Sequence, residues 1–452
     1  MPQAKSELFS SCPLSALRWA PVLLTFSSSP AAAQATDLEW RSIVTQGQSQ
    51  DVRMEALNVP TTATVMGRYR PDYFPVGGRI GSFFLYPRLG ATVEATDNLF
   101  ASNTYRAVDV TTRVNGSALL TSSWSRHAFD MQAFASQNLH ARHGSEDTTN
   151  YGGIVDGRLD FGKSSAVTLV ASGERGTLDR SDFTSPANAL KPVNFNRYFG
   201  EAKAQQTFNR LQISGAVKLA RLEYSNTIAR DGSLIDQQFR NGDFLTYQAS
   251  VSYRLHSGIR IISNGTYTVA RYALPVAQAL QSNNLDRNSH KKRVEAGLRF
   301  DFTDHLVGVV RGGWIGVDYA DPRLRSFSGP AFSADMVWTP QRSTTVRIKA
   351  DRRIDENTST TSAGLRVTEG GLSVEHELFP NLLLGARTSY ADLSPLGPDA
   401  KSQMLTGGGQ VRYLMSRRLN FVLDLLHQQR TSQSTQWRFD ENRIMIQANL
   451  TL

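Results

Sequence analysis

Residues suited to catalysis or metal binding are few and scattered in this sequence. Its 452 residues include one cysteine, Cys12, and eight histidines. His140 and His143 have the spacing of a ligand pair, but they begin a polar stretch where solvated loop histidines are the commoner outcome. No serine and histidine can be assigned to neighbouring strand ends, as hydrolytic catalysis would require. The sequence therefore predicts no enzyme, no metal site and no cofactor.

Charged residues that alternate with apolar ones form a second candidate group. Arg347, Lys349 and Asp351 are each separated by an apolar residue, so one face of that segment is charged. If these segments are strands around water, such side chains would face the water. The candidates of this kind are Arg158, Asp160, Glu174, Arg254, Arg293, Glu295, Arg299, Arg347, Lys349, Asp351, Arg353, Glu375, Glu377, Arg387 and Arg412.

The segments that carry these residues have the period of β-strands. From about Gly78 to Leu452, stretches of roughly ten residues alternate between apolar and polar side chains, and a turn or a polar loop follows each stretch. The last stretch is the clearest, because its apolar and polar residues separate completely onto two faces. Its apolar face is Ile444, Ile446, Ala448, Leu450 and Leu452.

The lengths of the connections alternate and thereby indicate a closed barrel. Eight short turns are predicted near residues 125–126, 162–164, 209–210, 256–258, 303–305, 340–342, 380–381 and 416–418. Long polar loops lie between them. Eight hairpins give sixteen strands, and one strand at each end gives about 18, an even number as bacterial barrels require. The fold class predicted is an all-β, transmembrane, antiparallel up-and-down barrel with short periplasmic turns and long extracellular loops.

Aromatic residues support this orientation. An aromatic residue stands beside each short turn, which is typical of a girdle at the periplasmic membrane interface. These residues are Trp124, Phe161, Phe208, Tyr253, Phe302, Trp338, Phe379 and Tyr413.

Composition and charge exclude several other classes. The chain is 40% hydrophobic and 20% charged, which is unlike a disordered protein. Past the N-terminus no run approaches the ~18 apolar residues of a spanning helix. The net charge is +9, but the basic residues are dispersed among acidic ones, so a nucleic-acid partner is not predicted.

Three regions are predicted along the chain. Residues 1–35 have basic residues, a modest apolar stretch and an Ala-rich end, which are typical of an export signal peptide. Residues 36–77 lack a strong period and are expected to form an N-terminal periplasmic segment, too short for a globular plug. Residues 78–452 are expected to form the outer-membrane barrel.

The start of the barrel region resembles a known family. Tyr73-Phe74-Pro75-Val76-Gly77-Gly78-Arg79-Ile80-Gly81-Ser82-Phe83-Phe84-Leu85-Tyr86-Pro87, followed by Asp97-Asn98-Leu99-Phe100, is similar to the opening of the family named putative β-barrel porin 2. The similarity in length and strand rhythm covers most of residues 70–452. The resemblance implies an outer-membrane barrel, often linked to exopolysaccharide loci, with a role in secreting or anchoring a surface polysaccharide.

Together these features predict a passive outer-membrane channel that assists export or surface assembly of an exopolysaccharide. Expected partners are outer-membrane lipid, an anionic polysaccharide and other export components. The charged candidates would either line a solute path or form inter-strand ion pairs that stiffen the wall. The alternatives are a general diffusion porin and a structural or adhesin-like barrel whose extracellular loops bind a ligand.

Overall fold

A computed structural model describes residues 64–273, 285–303, 305–359 and 361–451. The predicted signal peptide, residues 1–35, lies outside the described residues. The strands are β1 Gly78–Ile80, β2 Phe83–Thr96, β3 Asp109–Ser122, β4 Ala128–His140, β5 Thr148–Phe161, β6 Ser165–Thr177, β7 Asn194–Phe208, β8 Leu211–Tyr224, β9 Thr227–Ile228, β10 Leu234–Ile235, β11 Gly242–His256, β12 Ile259–Tyr272, β13 Ser289–Thr303, β14 Leu306–Tyr319, β15 Phe327–Gln341, β16 Thr344–Glu356, β17 Gly364–Phe379, β18 Leu382–Pro395, β19 Ser402–Leu414, β20 Leu419–Ser432 and β21 Phe439–Thr451.

Eighteen of these strands, β2 to β8 and β11 to β21, form one closed antiparallel barrel. Each pairs with its neighbour along the chain, and β2 closes the wall against β21, with Arg88 opposite Thr451 and Thr96 opposite Arg443. A closed barrel has no free strand edge, so its backbone N–H and C=O groups have hydrogen-bond partners where the wall crosses hydrocarbon. The predicted fold class and strand number are confirmed.

Two small pairings add to the eighteen strands, β1 within the same hydrogen-bonded sheet and β9 with β10 as a separate pair. β1 pairs with the first residues of β2, and β9 pairs with β10 within the connection between β8 and β11. Single-turn 3-10 helices occur at Gly144–Glu146, Gln238–Arg240 and Thr435–Trp437. None of the helices in the described ranges is both long enough and apolar enough to cross a membrane.

Side chains alternate across the wall as the sequence predicts. In β21, Ile444 and Ile446 are 51% and 59% exposed on the outer face, whereas Gln447 is 4% exposed on the inner face. Because successive side chains in a strand point to opposite faces, the apolar residues cover the outside and the polar ones surround the lumen.

Connection lengths separate the two rims. Eight short turns of two to five residues join the strands at one rim, and the longer loops lie at the other. The short-turn rim carries exposed aromatic side chains beside the turns, as expected for a periplasmic interface. These are Trp124, Phe161, Phe208, Tyr253, Trp338, Phe379 and Tyr413. The eighth predicted member, Phe302, has a side chain outside what the structure describes.

One seam of the wall is incomplete at the extracellular side. The ladder between β15 and β16 ends at Ser333 opposite Asp351, although both strands continue. Beyond that point, Arg293 Nη1 donates to the Arg352 carbonyl at 3.0 Å, and Lys291 Nζ donates to the Ile354 carbonyl at 3.2 Å. These lumen side chains provide partners for backbone carbonyls of the end of β16.

Candidate solute pathway

The strand register places all fifteen sequence-predicted charged residues on the inner side of the wall. In β13, Arg293, Glu295 and Arg299 point inward, while the intervening Val294 is 60% exposed on the outer side. The same alternation holds in β16, where Arg347, paired with Val337, follows the inner face. The register brings some of these residues together and distributes the others around the lumen. Their role in solute passage remains a prediction.

Six charged residues form an ion network on the lumen wall, in which Arg353 contacts Asp355 at 2.8 Å. Arg293 contacts Glu295 at 2.7 Å and Asp351 at 3.2 Å. Arg353 contacts the same Asp351 at 3.3 Å and Glu369 at 3.0 Å. Since each arginine has at least two carboxylate partners, these side chains fix the wall more readily than they recognise a solute.

Other predicted residues also form pairs between strands or within one. Glu375 accepts a hydrogen bond from the Met66 backbone at 2.7 Å, and Arg412 is fully buried beside Gln410. Arg299 and Lys349 make further contacts of their own. The remaining ion pairs are Arg158 with Asp160 at 3.0 Å, Glu174 with Arg197 at 2.8 Å, Arg347 with Asp335 at 2.6 Å, and Arg387 with Asp424 at 2.8 Å.

An arginine row crosses three adjacent strands near the periplasmic rim. Arg254 of β11 is directly opposite Arg260 of β12, which is opposite Arg299 of β13. Arg210 lies in the turn between β7 and β8, and its carbonyl accepts from the Arg254 backbone at 2.9 Å. Arg210, Arg254 and Arg260 line a polar cavity of about 170 Å³. In the described residues, these three arginines form no ion pair.

Residues 64–71, here called the N-terminal strap, lie inside the periplasmic mouth. Val65 is fully buried, and its backbone N–H donates to Thr345 Oγ1 at 2.9 Å. Arg68 Nη1 approaches Glu377 Oε2 at 3.5 Å, and Arg70 Nη2 contacts the same oxygen at 2.5 Å. The strap therefore occupies lumen space beside the start of β16 and the end of β17.

At the opposite end, the connection between β8 and β11 reaches across the lumen. Arg240 of this connection is fully buried, lies 3.8 Å from the Tyr224 ring and contacts Glu356 of β16 at 3.4 Å. Its Nη2 also donates to Thr184 Oγ1 at 3.1 Å, in the loop after β6. These contacts join the loops into what we call the roof, residues 178–193 and 225–241.

The roof contains a carboxyl group in an unfavourable environment. Asp182 is 7% exposed, and burial raises its pKa to about 6 although Oδ1 accepts hydrogen bonds from Thr184 N and Oγ1, each at 2.7 Å. Desolvation penalises the charged form and is the largest cause of the shift. Near neutral pH the Asp182 carboxylate is therefore charged but poorly solvated, which destabilises the roof.

The histidines singled out in the sequence have structural partners. His143 Nδ1 lies 2.6 Å from Asp109 Oδ2, and His140 Nδ1 lies 3.3 Å from Asp147 Oδ1. Within the described ranges, no group of three or more His, Cys, Asp or Glu could hold a metal ion. The arrangement at these positions suits loop anchoring.

Sequence reasoning missed the strap and the roof. The contact between Val65 and Thr345 joins residues 280 positions apart, and Arg240 meets Glu356 at a separation of 116. No periodicity or local spacing signals such contacts. The available signals were weak: two arginines two residues apart in residues 64–71, and loops longer than a hairpin needs.

A closed 18-strand barrel with an apolar exterior, a charged lumen and short turns at one rim defines an outer-membrane barrel of the porin type, in bacteria. The chain belongs to the family described as "Putative beta-barrel porin 2", which matches residues 70–452. The family and the fold are those of channels. No curated protein matches the chain.

Solved porin structures are similar to the chain at low identity. A BenF-like porin from Pseudomonas fluorescens Pf-5 has a TM-score of 0.46 at 13% identity, covering 83% of this chain and 100% of that one. Pseudomonas aeruginosa OccK2 (OpdF) has a TM-score of 0.43 at 12% identity, covering 81% and 98%. Acinetobacter baumannii OccAB3 has a TM-score of 0.43 at 11% identity, covering 82% and 100%.

Proposed function

We propose that this barrel is a passive channel that assists export or surface assembly of an exopolysaccharide. The observation that carries the proposal is the polar inner face, because a hydrated polymer needs hydrogen-bonding and charged groups along a wall it passes. Of the fifteen predicted residues on that face, nine are basic and six are acidic. The partner acids Asp335, Asp424 and Glu369 on the same face offset most of this surplus, so the charge of the inner face supports only a weak preference for an anionic polymer.

The roof and the strap each obstruct one end of the lumen, which favours a restricted path over free diffusion. Arg240 joins the roof to Glu356 across the lumen, and the strap fills part of the periplasmic mouth. A general diffusion porin would need both ends open at rest. A structural or adhesin-like barrel is the second candidate, because interlocked extracellular loops also suit a fixed binding surface.

A deletion strain tests the proposal most directly. Secreted and cell-bound polysaccharide should fall when the gene is removed and recover when it is restored. Planar-bilayer recording then separates the candidates. Measurable conductance is expected of a channel, whereas a barrel that never conducts while cells lose adhesion would favour the structural role. Unchanged polysaccharide output together with unblocked conductance would favour the diffusion porin.

The organisation of the chain is part of the same proposal. We infer that residues 1–35 are removed on export, that residues 36–77 remain at the periplasmic side and that residues 78–452 form the membrane barrel. Contacts of residues 64–71 with Thr345 and Glu377 support a periplasmic N-terminus. Mass spectrometry of protein purified from outer membranes should give a mature chain that begins near residue 36.

A further inference from the structure

The barrel fold does not explain why arginines lie directly opposite one another in the arginine row. Arg254 and Arg260 face each other directly across two paired strands, and Arg260 faces Arg299 across the next pair. Like charges directly opposite in a sheet destabilise the pairing. Several arginines elsewhere on this wall have carboxylate partners, as Arg353 does with Asp351, whereas Arg412 and Arg430 contact neutral side chains and face no second arginine across a strand pair. The row therefore keeps a repulsion that a bound anion would relieve.

Charge around the row leaves it basic. Among the described residues, Arg210, Arg254 and Arg260 have no ion-pair partner. Asp301 lies on the same face two residues beyond Arg299. Glu295, on the same face of β13, is bound by Arg293 at 2.7 Å, and Asp335, in register with Arg299 across β14, is bound through both oxygens by Arg347 at 2.8 and 2.6 Å. Arg299 makes contacts of its own, so the groups left without an ion pair among the described residues are the guanidinium groups of Arg210, Arg254 and Arg260.

The cavity gives these arginines a place to bind a solute. The cavity has a volume of about 170 Å³ and lies at the short-turn rim. It is lined by Arg210, Arg254 and Arg260 together with polar Gln212 and Ser252. A guanidinium presents a planar fork of donors that matches a carboxylate or a phosphate. Neighbouring strands are about 4.8 Å apart, so the row spans roughly 10 Å. That length exceeds one small anion and suits successive charges of a chain.

We propose that Arg254, Arg260 and Arg299, with Arg210, form a periplasmic mouth site that binds carboxylate groups of an anionic polysaccharide. The inference rests on the proposed channel function and names where its solute first binds. The site is on the side from which an exported polymer would come. Each bound carboxylate would contact a guanidinium fork and reduce the repulsion between the paired arginines.

The test compares two double variants of the full barrel. R254Q/R260Q removes two charges from the row. K163Q/R418Q removes two exposed charges from other short turns of the same rim and is the matched control. Oligogalacturonate is added to the periplasmic side of a planar bilayer, and a neutral maltooligosaccharide is the uncharged probe. Heat-modifiable migration in gels verifies that each barrel is folded.

We expect oligogalacturonate to block the wild type and the control, and its affinity to fall about tenfold in R254Q/R260Q. R254K/R260K should keep partial block, since it retains charge but loses the fork. Equal block in R254Q/R260Q and the wild type would overturn the site. Equal block by the neutral probe would do so too. Full competition by inorganic phosphate at the same concentration of charge would overturn the polymer assignment.

Failure of the channel itself gives a different result. If the wild type never conducts, the proposed function fails, and equilibrium binding of fluorescent oligogalacturonate to the detergent-solubilised barrel decides the mouth site by itself. Binding that is lost in R254Q/R260Q and kept in K163Q/R418Q supports the site. Binding that is the same in all variants, or absent from the wild type, overturns it.

Discussion

Arg387 on β18 reaches over the neighbouring strand β19 to contact Asp424 on β20, with both hydrogen bonds at 2.8 Å. Gly408 of β19 is the residue paired with Arg387. A Cβ at position 408 would lie 3.3 Å from the Arg387 guanidinium carbon. The glycine therefore leaves the space through which the arginine crosses, and the ion pair ties three strands together.

Removal of Arg387 should destabilise the barrel. Asp424 is fully buried, so R387A would leave its carboxylate without this partner in a poorly hydrated place, at a cost of about 3–5 kcal/mol. Unfolding by urea from lipid vesicles measures the loss. R254A serves as the control, because Arg254 forms no ion pair among the described residues and should change stability by less than about 1 kcal/mol. The double variant R387M/D424L should recover most of the loss. Equal stability of R387A and the wild type would contradict the bridge.

The two glycines at 407 and 408 should respond differently to the same substitution. A Cβ at Gly408 would lie 2.7 Å from the Leu425 carbonyl oxygen, whereas a Cβ at Gly407 would meet nothing within 4 Å. G408A forces the strand or Arg387 to shift and should cost about 1–3 kcal/mol. G407A should be neutral or slightly stabilising in the same urea experiment. If both variants unfold alike, the space at Gly408 has no special role.

The strap should respond to the loss of its charged anchor. Glu377 accepts contacts from both Arg68 and Arg70, so E377Q weakens both while the backbone contact of Val65 with Thr345 remains. We expect larger single-channel conductance and faster trypsin cleavage in the strap. D160N, at the same rim but paired with Arg158, is the control and should leave both unchanged. A strap that stays protease-resistant in E377Q would argue against this anchor.

The roof should loosen as pH rises through the range in which Asp182 ionises. Its pKa is about 6 in the folded roof and 3.8 in an exposed chain, so the folded roof binds its proton more tightly. The stabilisation is complete below pH 3.8 and is lost as pH rises through about 6, a change of about 3 kcal/mol. Protease cleavage of the roof should therefore be faster at pH 7.5 than at pH 5.

The matched variant for this pH effect is D182N. Its amide oxygen can still accept the two hydrogen bonds from Thr184, but the side chain carries no charge. Cleavage of D182N should be slow and nearly independent of pH between 5 and 7.5. If D182N keeps the pH dependence of the wild type, another group controls the roof.

The sequence alone predicted the strands of the wall, but it did not predict the ion pairs, the strap or the roof inside the lumen. Alternation and turn lengths are local properties, so they predicted eighteen strands and the side of the wall on which Arg293 or Arg347 lies. Which carboxylate each arginine meets depends on register across strands and on gaps such as Gly408. The strap and Arg240 depend on contacts more than a hundred residues apart, which no local pattern encodes.

Adjacent residues of β5 test which face of the wall meets hydrocarbon. Val155 is 37% exposed on the outer side, while Ile154 points inward opposite Gln132 and Ser172. Because a cation in mid-membrane costs about 2–4 kcal/mol on the lipid face, V155R should lose that amount in vesicle unfolding. I154R, at the same depth, can extend into lumen water near Asp130 and Asp156 and should lose less than about 1 kcal/mol. The reverse order would mean that the apolar face is not the lipid face, and the assignment of the lumen would fail with it.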